Sequence, residues 1–467
     1  MLHENRRLFL WTTLAALTLR LFFFVYFPSV TDDSHAYIDL ASNWLQHGVY
    51  GQTQLGNVVP GDTRLPGYPA FLAAVFWVFG VGSVRAVLII QILFDLGTCF
   101  IIADLARRAV PRRRASGVAF VLAAVCPFLA NYAAAILTET LEIFFTVVAL
   151  DFAVTAIDSR VLAWRMWAGA GISVGICILL RPDGGILLAA VGLFGAVAVL
   201  PDRSLGSGRF RNFVLAEIVL VACALSPLVP WTIRNFHTLH HFQPLAPRYA
   251  NESDELAPRG FNRWAKTWIV DYASVEEVYW NVPGDKIEID KLPSRALDEP
   301  PTRDTTFALL SDYNQSQELT PALDARFGDL AAERIRARPV RYYAVLPVLR
   351  VADMWLRPRT ELLPPDIRWW EFNDETWYSA LAVAFGLLNL AYVATAAIEV
   401  VLRRSDIRFL GLLIGFLVLR SAFLGTIENP EPRYTLECYP VIIVLASALL
   451  AGRRDGAQPL YAHSPSE

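Results

Sequence analysis

The chain has 467 residues, of which 55% are hydrophobic and 18% charged, and its mean hydropathy is +0.39, whereas soluble proteins carry roughly a quarter charged residues. This composition excludes an ordinary cytosolic enzyme, a disordered chain and a disulfide-rich secreted scaffold. A formal charge of −3 leaves no extended basic surface to neutralise phosphates, so nucleic acid is excluded as the main partner.

Apolar runs recur along nearly the whole chain, which makes the bilayer its main solvent. Ten runs predict transmembrane helices: 8–28, 84–106, 115–131, 139–157, 166–180, 184–200, 212–230, 377–402, 407–424 and 435–451. Arginines cluster at 6–7, 107–114, 160–165, 203–211, 403–408 and 453–454, and the positive-inside rule puts all six clusters and both termini on the cytoplasmic side. The first run contains Arg20 and has no small-residue cleavage site behind it, so it reads as an uncleaved span. Tyr68 to Val81 is apolar, but counting it as a crossing would carry Arg107, Arg108 and Arg112 to Arg114 outside; it predicts an interfacial or re-entrant helix. The five cysteines fall inside apolar runs and predict neither disulfides nor a Cys-based metal site.

Three parts follow. Residues 1–230 form an N-terminal transmembrane module whose first outer loop is 29–83; 231–376 is an extracytoplasmic segment; 377–467 returns to transmembrane helices and a cytoplasmic tail. Within the middle part, 251–338 is polar and suits a small soluble subdomain or a set of loops, while Arg341 to Leu356 predicts a second interfacial helix.

Most candidate chemical groups lie in the outer segments. Asp32 and Asp33 open the first outer loop ahead of a helical stretch with Tyr37; they suit an acid/base group over the bilayer or simple helix capping. Arg64, in Arg64-Leu65-Pro66-Gly67-Tyr68-Pro69, suits a bidentate phosphate clamp or a snorkelling cation. Glu139 opens the fourth span, where an ionisable group is costly unless it pairs or works. Arg181 and Asp183 sit at the next outer turn, and Arg234 lies in Pro230-Trp231-Thr232-Ile233-Arg234-Asn235. Glu431, Arg433 and Tyr434 fill the last outer turn, where Glu431 and Arg433 can pair or Arg433 can reach a phosphate. His237, His240 and His241 lack zinc-site spacing and read as solvated loop residues, so no metal is assigned. Asn251 and Asn314 match the permissive glycosylation pattern.

In this order the motifs resemble the membrane-embedded GT-C glycosyltransferases, family 39 in particular, which includes protein O-mannosyltransferases and bacterial transferases acting on lipid A. The resemblance rests on Asp32-Asp33 with Tyr37, Arg64-Leu65-Pro66-Gly67-Tyr68-Pro69, Thr138-Glu139, Arg181-Pro182, Pro230-Trp231 with Arg234-Asn235, and Glu431-Pro432-Arg433-Tyr434. It implies an all-α polytopic GT-C fold with about ten transmembrane helices, outer-face interfacial helices and a small extracytoplasmic subdomain. It also implies an inverting transferase that takes a sugar from a polyprenyl-phosphate donor and passes it to an unidentified acceptor hydroxyl of a lipid, glycan or protein. Such an enzyme sits in the inner (plasma) membrane with its site facing outward. By resemblance Asp32 is the leading base with Asp33 beside it; Arg64, Arg234 and Arg433 hold the donor phosphate; Tyr37, Glu139, Arg181, Glu431 and Tyr434 line or support the cavity. No cofactor is required, although carboxylates beside a phosphate are compatible with a divalent cation. The family often has Asp-Glu where this chain has Asp32-Asp33, which leaves the base open between the two. A lipid or lipid-linked sugar flippase is the alternative reading, against which the charges sit at span ends rather than at mid-bilayer; a carrier-lipid scaffold that tolerates loss of both aspartates is the third.

Overall fold

The structure, a computed structural model, describes residues 6–159, 163–199, 208–249, 255–297, 302–373, 375–403 and 406–452. Parts of the arginine clusters at 160–165, 203–211 and 403–408, all of 453–454 and the tail after it, and Asn251 lie outside the described residues. The described chain is almost entirely helical, with one two-stranded hairpin, Gly51–Gln54 paired antiparallel to Asn57–Pro60. Leu55 and Gly56 turn the hairpin in the left-handed region, which Gly56 adopts without a Cβ penalty.

Five helices among the described residues are long and apolar enough to cross a membrane: Arg6–Tyr26, Val84–Ala109, Glu139–Asp158, Thr376–Leu402 and Pro432–Leu450, the last starting as a 3-10 helix. A sixth is bent by 42° between Phe210–Leu225 and Leu228–Leu239. Pro227 and Pro230 at the bend remove backbone donors and crowd the preceding turn. The other four predicted runs contain shorter helices. Trp164–Leu180, Gly185–Val199 and Leu410–Leu424 are each continuous, whereas 115–131 is divided into Ala115–Ala124 and Pro127–Tyr132 by the same proline effect. Helix also continues past residue 230 to Leu239, where the sequence suggested that an outer segment begins.

Tyr439–Leu450 is central: every residue from Tyr439 to Ala448 is buried, as expected of a helix apolar all round. Two charged pairs lie inside the bundle. Arg20 donates from Nε to Asp95 at 2.7 Å, and Arg112 stands 2.8 Å from Glu399. Arg20 also donates to the Ala16 and Ala123 carbonyls at 3.3 and 3.1 Å, so this guanidinium is satisfied without water.

At one end of the bundle the loops form a polar platform. Ser29 pairs with the 134–136 segment through Ser29 N to Ala134 O at 2.9 Å and Ile136 N to Ser29 O at 3.1 Å. Helix Asp32–His47 then begins, and its reciprocal cap is Thr31 with Ser34, 2.9 Å from the Thr31 amide to Ser34 Oγ. Capping therefore does not engage Asp32 or Asp33. Helix Gly67–Phe79 lies against Trp164–Leu180, and a Cβ at Gly67 would meet the Leu179 carbonyl oxygen at 2.5 Å, so only glycine allows that approach.

The 255–356 segment is helical with its own core, in which Phe261, Trp264, Trp268 and Phe327 pack together. Asp324 binds the Gly260 and Phe261 amides at 2.9 and 2.8 Å, a carboxylate at a helix N-terminus. Helix Leu346–Leu356 is amphipathic: Leu346, Arg350 and Met354 are buried on one face while Val348 and Leu349 are exposed. Asn314, within a glycosylation pattern, makes two hydrogen bonds to the Ile287 backbone, at 2.9 and 2.8 Å, as part of this packing.

Candidate active site

Asp33 lies between two arginines from opposite ends of the chain. Its Oδ1 accepts from Arg64 Nη2 at 3.0 Å and its Oδ2 from Arg433 Nη2 at 3.2 Å. Burial raises this carboxyl, but Arg433 and Arg64 outweigh that and hold it below the usual carboxylate range. Asp32, one residue earlier in the same first helical turn, is exposed and forms no hydrogen bond or ion pair with any described residue. One carboxylate is thus fixed by cations while its neighbour stands free at the positive end of a helix.

Arg433 extends the network inward. Its Nε is 2.5 Å from Glu431 Oε2 and 3.8 Å from Glu139 Oε1. The Tyr434 hydroxyl donates to the other Glu431 oxygen. Burial pushes the Glu431 carboxyl up, against the pull of Arg433. Arg181 joins from the next turn, 3.4 Å from Glu139, 3.3 Å from Glu142 and 3.3 Å from Asp183, with its guanidinium 4.5 Å from the centre of the Tyr434 ring. Glu139 is 1% exposed and pairs with two cations, Arg181 and Arg433, which offset the cost of burying its charge.

Beneath these lies Arg420, which is 1% exposed. It reaches Asp183 at 2.9 Å, contacts Glu437, and donates from Nε to the Tyr434 carbonyl at 3.0 Å. Arg420, Glu142 and Glu437 were not singled out from sequence. Each is a charge inside an apolar run, and that intramembrane cost was the available signal.

Tyr37 packs edge-on against Tyr68 with ring centres 5.1 Å apart, and burial pushes its phenol up to about 12. Arg234 is placed differently from the other cations. It donates to the Gly61 carbonyl at 2.7 Å and to the Tyr50 carbonyl, gripping both flanks of the hairpin, and lies over the Tyr50 and Trp231 rings. The Tyr50 hydroxyl donates to the Arg64 carbonyl at 2.9 Å, so Tyr50 links Arg234 to the network. His237, His240 and His241 are all exposed, as expected of loop residues, and His241 also contacts Asp62 at 2.9 Å, tethering the same loop. Among the described residues no three His, Cys, Asp or Glu side chains converge as a metal site.

The arrangement combines a free carboxylate, two guanidiniums braced beside it and a buried ionic base that resists collapse. Such a set suits general-base attack on a centre bearing an anionic leaving group.

Residues 61–231 match the family model for dolichyl-phosphate-mannose-protein mannosyltransferase. No curated protein sequence matches the chain. Among solved structures, an Archaeoglobus fulgidus oligosaccharyltransferase tethered to an acceptor peptide aligns with TM-score 0.52 and 13% identity over 96% of this chain and 49% of that one. The oligosaccharyltransferase AglB of the same organism, in complex with an inhibitory peptide and a dolichol-phosphate, aligns with TM-score 0.51 and 15% identity over 96% and 50%. ArnT from Cupriavidus metallidurans aligns more distantly, at TM-score 0.40 and 16% identity over 94% of this chain and 77% of that one. The chain spans about half the length of the archaeal structures it matches. The chain thus shares the fold of these membrane-embedded oligosaccharyltransferases along nearly its whole length, and over 61–231 its sequence is similar to the mannosyltransferase family.

Proposed function

We propose that this protein is an inverting glycosyltransferase that moves a sugar from a polyprenyl-phosphate donor to an acceptor hydroxyl at the extracytoplasmic face of the membrane, with both chain termini cytoplasmic. The observation that carries this reading is the contrast between Asp32, free and exposed, and Asp33, braced by Arg64 and Arg433. In this reading Asp32 takes the proton of the acceptor hydroxyl as its oxygen bonds to the anomeric carbon. The bond from that carbon to the phosphate oxygen breaks, and its electron pair leaves with the polyprenyl phosphate. Arg64 and Arg433 meet the charge on the departing phosphate. Asp33 orients those two cations. Arg234 shapes the loop that carries Arg64 through the Gly61 and Tyr50 carbonyls. Glu139, Arg181, Glu431 and Tyr434 support the cavity from below. The residues do not call for a cofactor in this scheme.

The arginine clusters support the orientation, since their cytoplasmic placement puts the polar platform outside. The test uses purified protein in nanodiscs, a panel of polyprenyl-phosphate monosaccharides and a membrane extract as acceptor source. Mass spectrometry follows free polyprenyl phosphate. Acceptor-dependent release by the wild type that is lost in Asp32→Asn is the expected result. Carrier-lipid binding with no release from any donor, unaffected by Asp32→Asn or Asp33→Asn, overturns the enzyme reading in favour of a lipid-handling role.

A further inference from the structure

Behind Glu431 lies a second polar group that the scheme above does not use. Both carboxylate oxygens of Glu361 are buried, with no hydrogen bond or ion pair to any described residue. Tyr132 is 2% exposed and its hydroxyl has no partner among the described residues; Asn131, beside it, is also buried and its side-chain carbonyl has none among them. Backbone and side-chain contacts bring these segments together. Leu363 packs with Ala130 and Ala134, and Arg359 donates to the carbonyl of Pro432, the residue after Glu431, at 2.8 Å. Residues 359–363 therefore lie between the 130–134 segment and the Glu431-to-Arg433 turn. The same 134–136 segment pairs with Ser29, on the approach to Asp32.

The cations nearby are engaged elsewhere. Arg359 directs its guanidinium to Tyr439, Pro432 and Thr435, and Arg433 faces Glu431 and Asp33. Burial pushes the Glu361 carboxyl up against the opposing charges of Arg359 and Arg357, and the charge of Glu431 adds to the rise. A buried carboxylate without donors is costly, so the chemistry that fits here brings hydroxyl donors of its own. A phosphate is repelled by Glu361 and Glu431, and a lipid tail supplies no donors. In the proposed scheme the donor phosphate meets Arg433, so the sugar ring attached to that phosphate is the nearest group that would bring hydroxyls to Glu361.

We infer that Glu361, with the Tyr132 hydroxyl, forms the subsite for the sugar ring of the donor, accepting hydrogen bonds from its hydroxyls and selecting neutral over acidic sugars. This inference rests on the proposed transferase function. Positive selection comes from the sugar hydroxyls, and rejection of a uronic acid comes from like charge at Glu361.

The experiment measures binding to the full chain in nanodiscs of bare polyprenyl phosphate, of the same lipid carrying glucose, mannose or galactose, and of the lipid carrying a uronic acid. The expected result is that at least one hexose-linked lipid binds the wild type about tenfold more tightly than bare lipid, and the acidic one no more tightly. Glu361→Gln should erase that preference, and Glu361→Asp should restore part of it, with bare-lipid affinity within twofold throughout. Tyr132→Phe, which removes a single oxygen, should reduce the preference about threefold and serves if Glu361→Gln does not fold. A preference retained in Glu361→Gln, or in Tyr132→Phe where that variant stands in, overturns the inference. So does a wild type that binds bare lipid but gains nothing from any hexose, which points to a structural carboxyl solvated by water. Failure of the wild type to bind bare lipid instead overturns the transferase reading on which the inference stands.

Discussion

Arg433 and Asp33, 400 residues apart in sequence, face each other at 3.2 Å, so the last turn of the chain closes on the first helix after the first span. The contact makes the two aspartates unequal, and kinetics can read that inequality. Asp32→Asn should lower turnover about 10²- to 10⁴-fold, the usual worth of a general base, with donor-lipid affinity kept. Asp33→Asn should instead raise the donor KM, because Arg64 and Arg433 lose the carboxylate that orients them. Steady-state kinetics on both variants checks the split; equal loss of turnover with unchanged KM in both would contradict it.

Arg420 is the keystone of the buried charges. Replacing it with methionine takes from Glu437 the cation it contacts and leaves Asp183 and Glu142 with Arg181 alone, and removing one partner of such a buried set costs about 3–5 kcal/mol. A large fall in the thermal midpoint of the detergent-solubilised protein is expected. Lysine should rescue little, since a single ammonium cannot reproduce a planar guanidinium that reaches several acceptors.

The acid range should reveal two opposite trends. The Asp33 carboxyl is depressed in the fold, so its contribution is present above the ordinary carboxylate pKa and is lost as pH falls through its lower folded value. Asp353 is pushed up to about 6 by burial, so its contribution is complete below its ordinary value of 3.8 and is lost as pH rises through about 6. Thermal midpoints of Asp353→Asn relative to wild type should therefore rise between pH 4 and 6.5, and those of Asp33→Asn should fall relative to wild type from below pH 3 toward pH 5.

Arg234 clamps the hairpin through backbone carbonyls. Arg234→Ala should speed protease cleavage at the exposed hairpin tip around Leu55 and raise the donor KM about tenfold, because Arg64 hangs from the same loop through Tyr50. Arg234→Lys keeps the charge but not the two-pronged grip. Wild-type protease resistance in Arg234→Ala would show that the clamp is dispensable.

Much of this was legible in the sequence, and for identifiable reasons. The apolar runs marked where the long helices lie, because hydrophobic length is written directly in residue order. Asp33, Arg64, Glu139, Arg181, Glu431, Arg433 and Tyr434 were marked by their places at span ends, and the fold brings them into one network. Partner choice was not legible. Arg20 with Asp95, Arg112 with Glu399, and Arg420 with Glu437 pair across distant runs, and no local spacing encodes such meetings. Arg234 looked like its fellow cations by position, while its backbone acceptors are set by a hairpin whose strands are only four residues each. The breaks at Pro127 and Pro227 stood in plain view, yet each lay inside a run whose hydropathy alone suggested one continuous span.

The link between Ser29 and the 134–136 segment uses main-chain atoms only. Its geometry is therefore indifferent to which side chains occupy those positions, short of a proline at 29 or 136, which would delete a donor. The entry into the Asp32–His47 helix is thus fixed against the 134–136 segment by main-chain bonds at Ser29 and by the Ser34 hydroxyl on the Ile136 carbonyl, and the other side chains nearby can change without displacing Asp32 and Asp33.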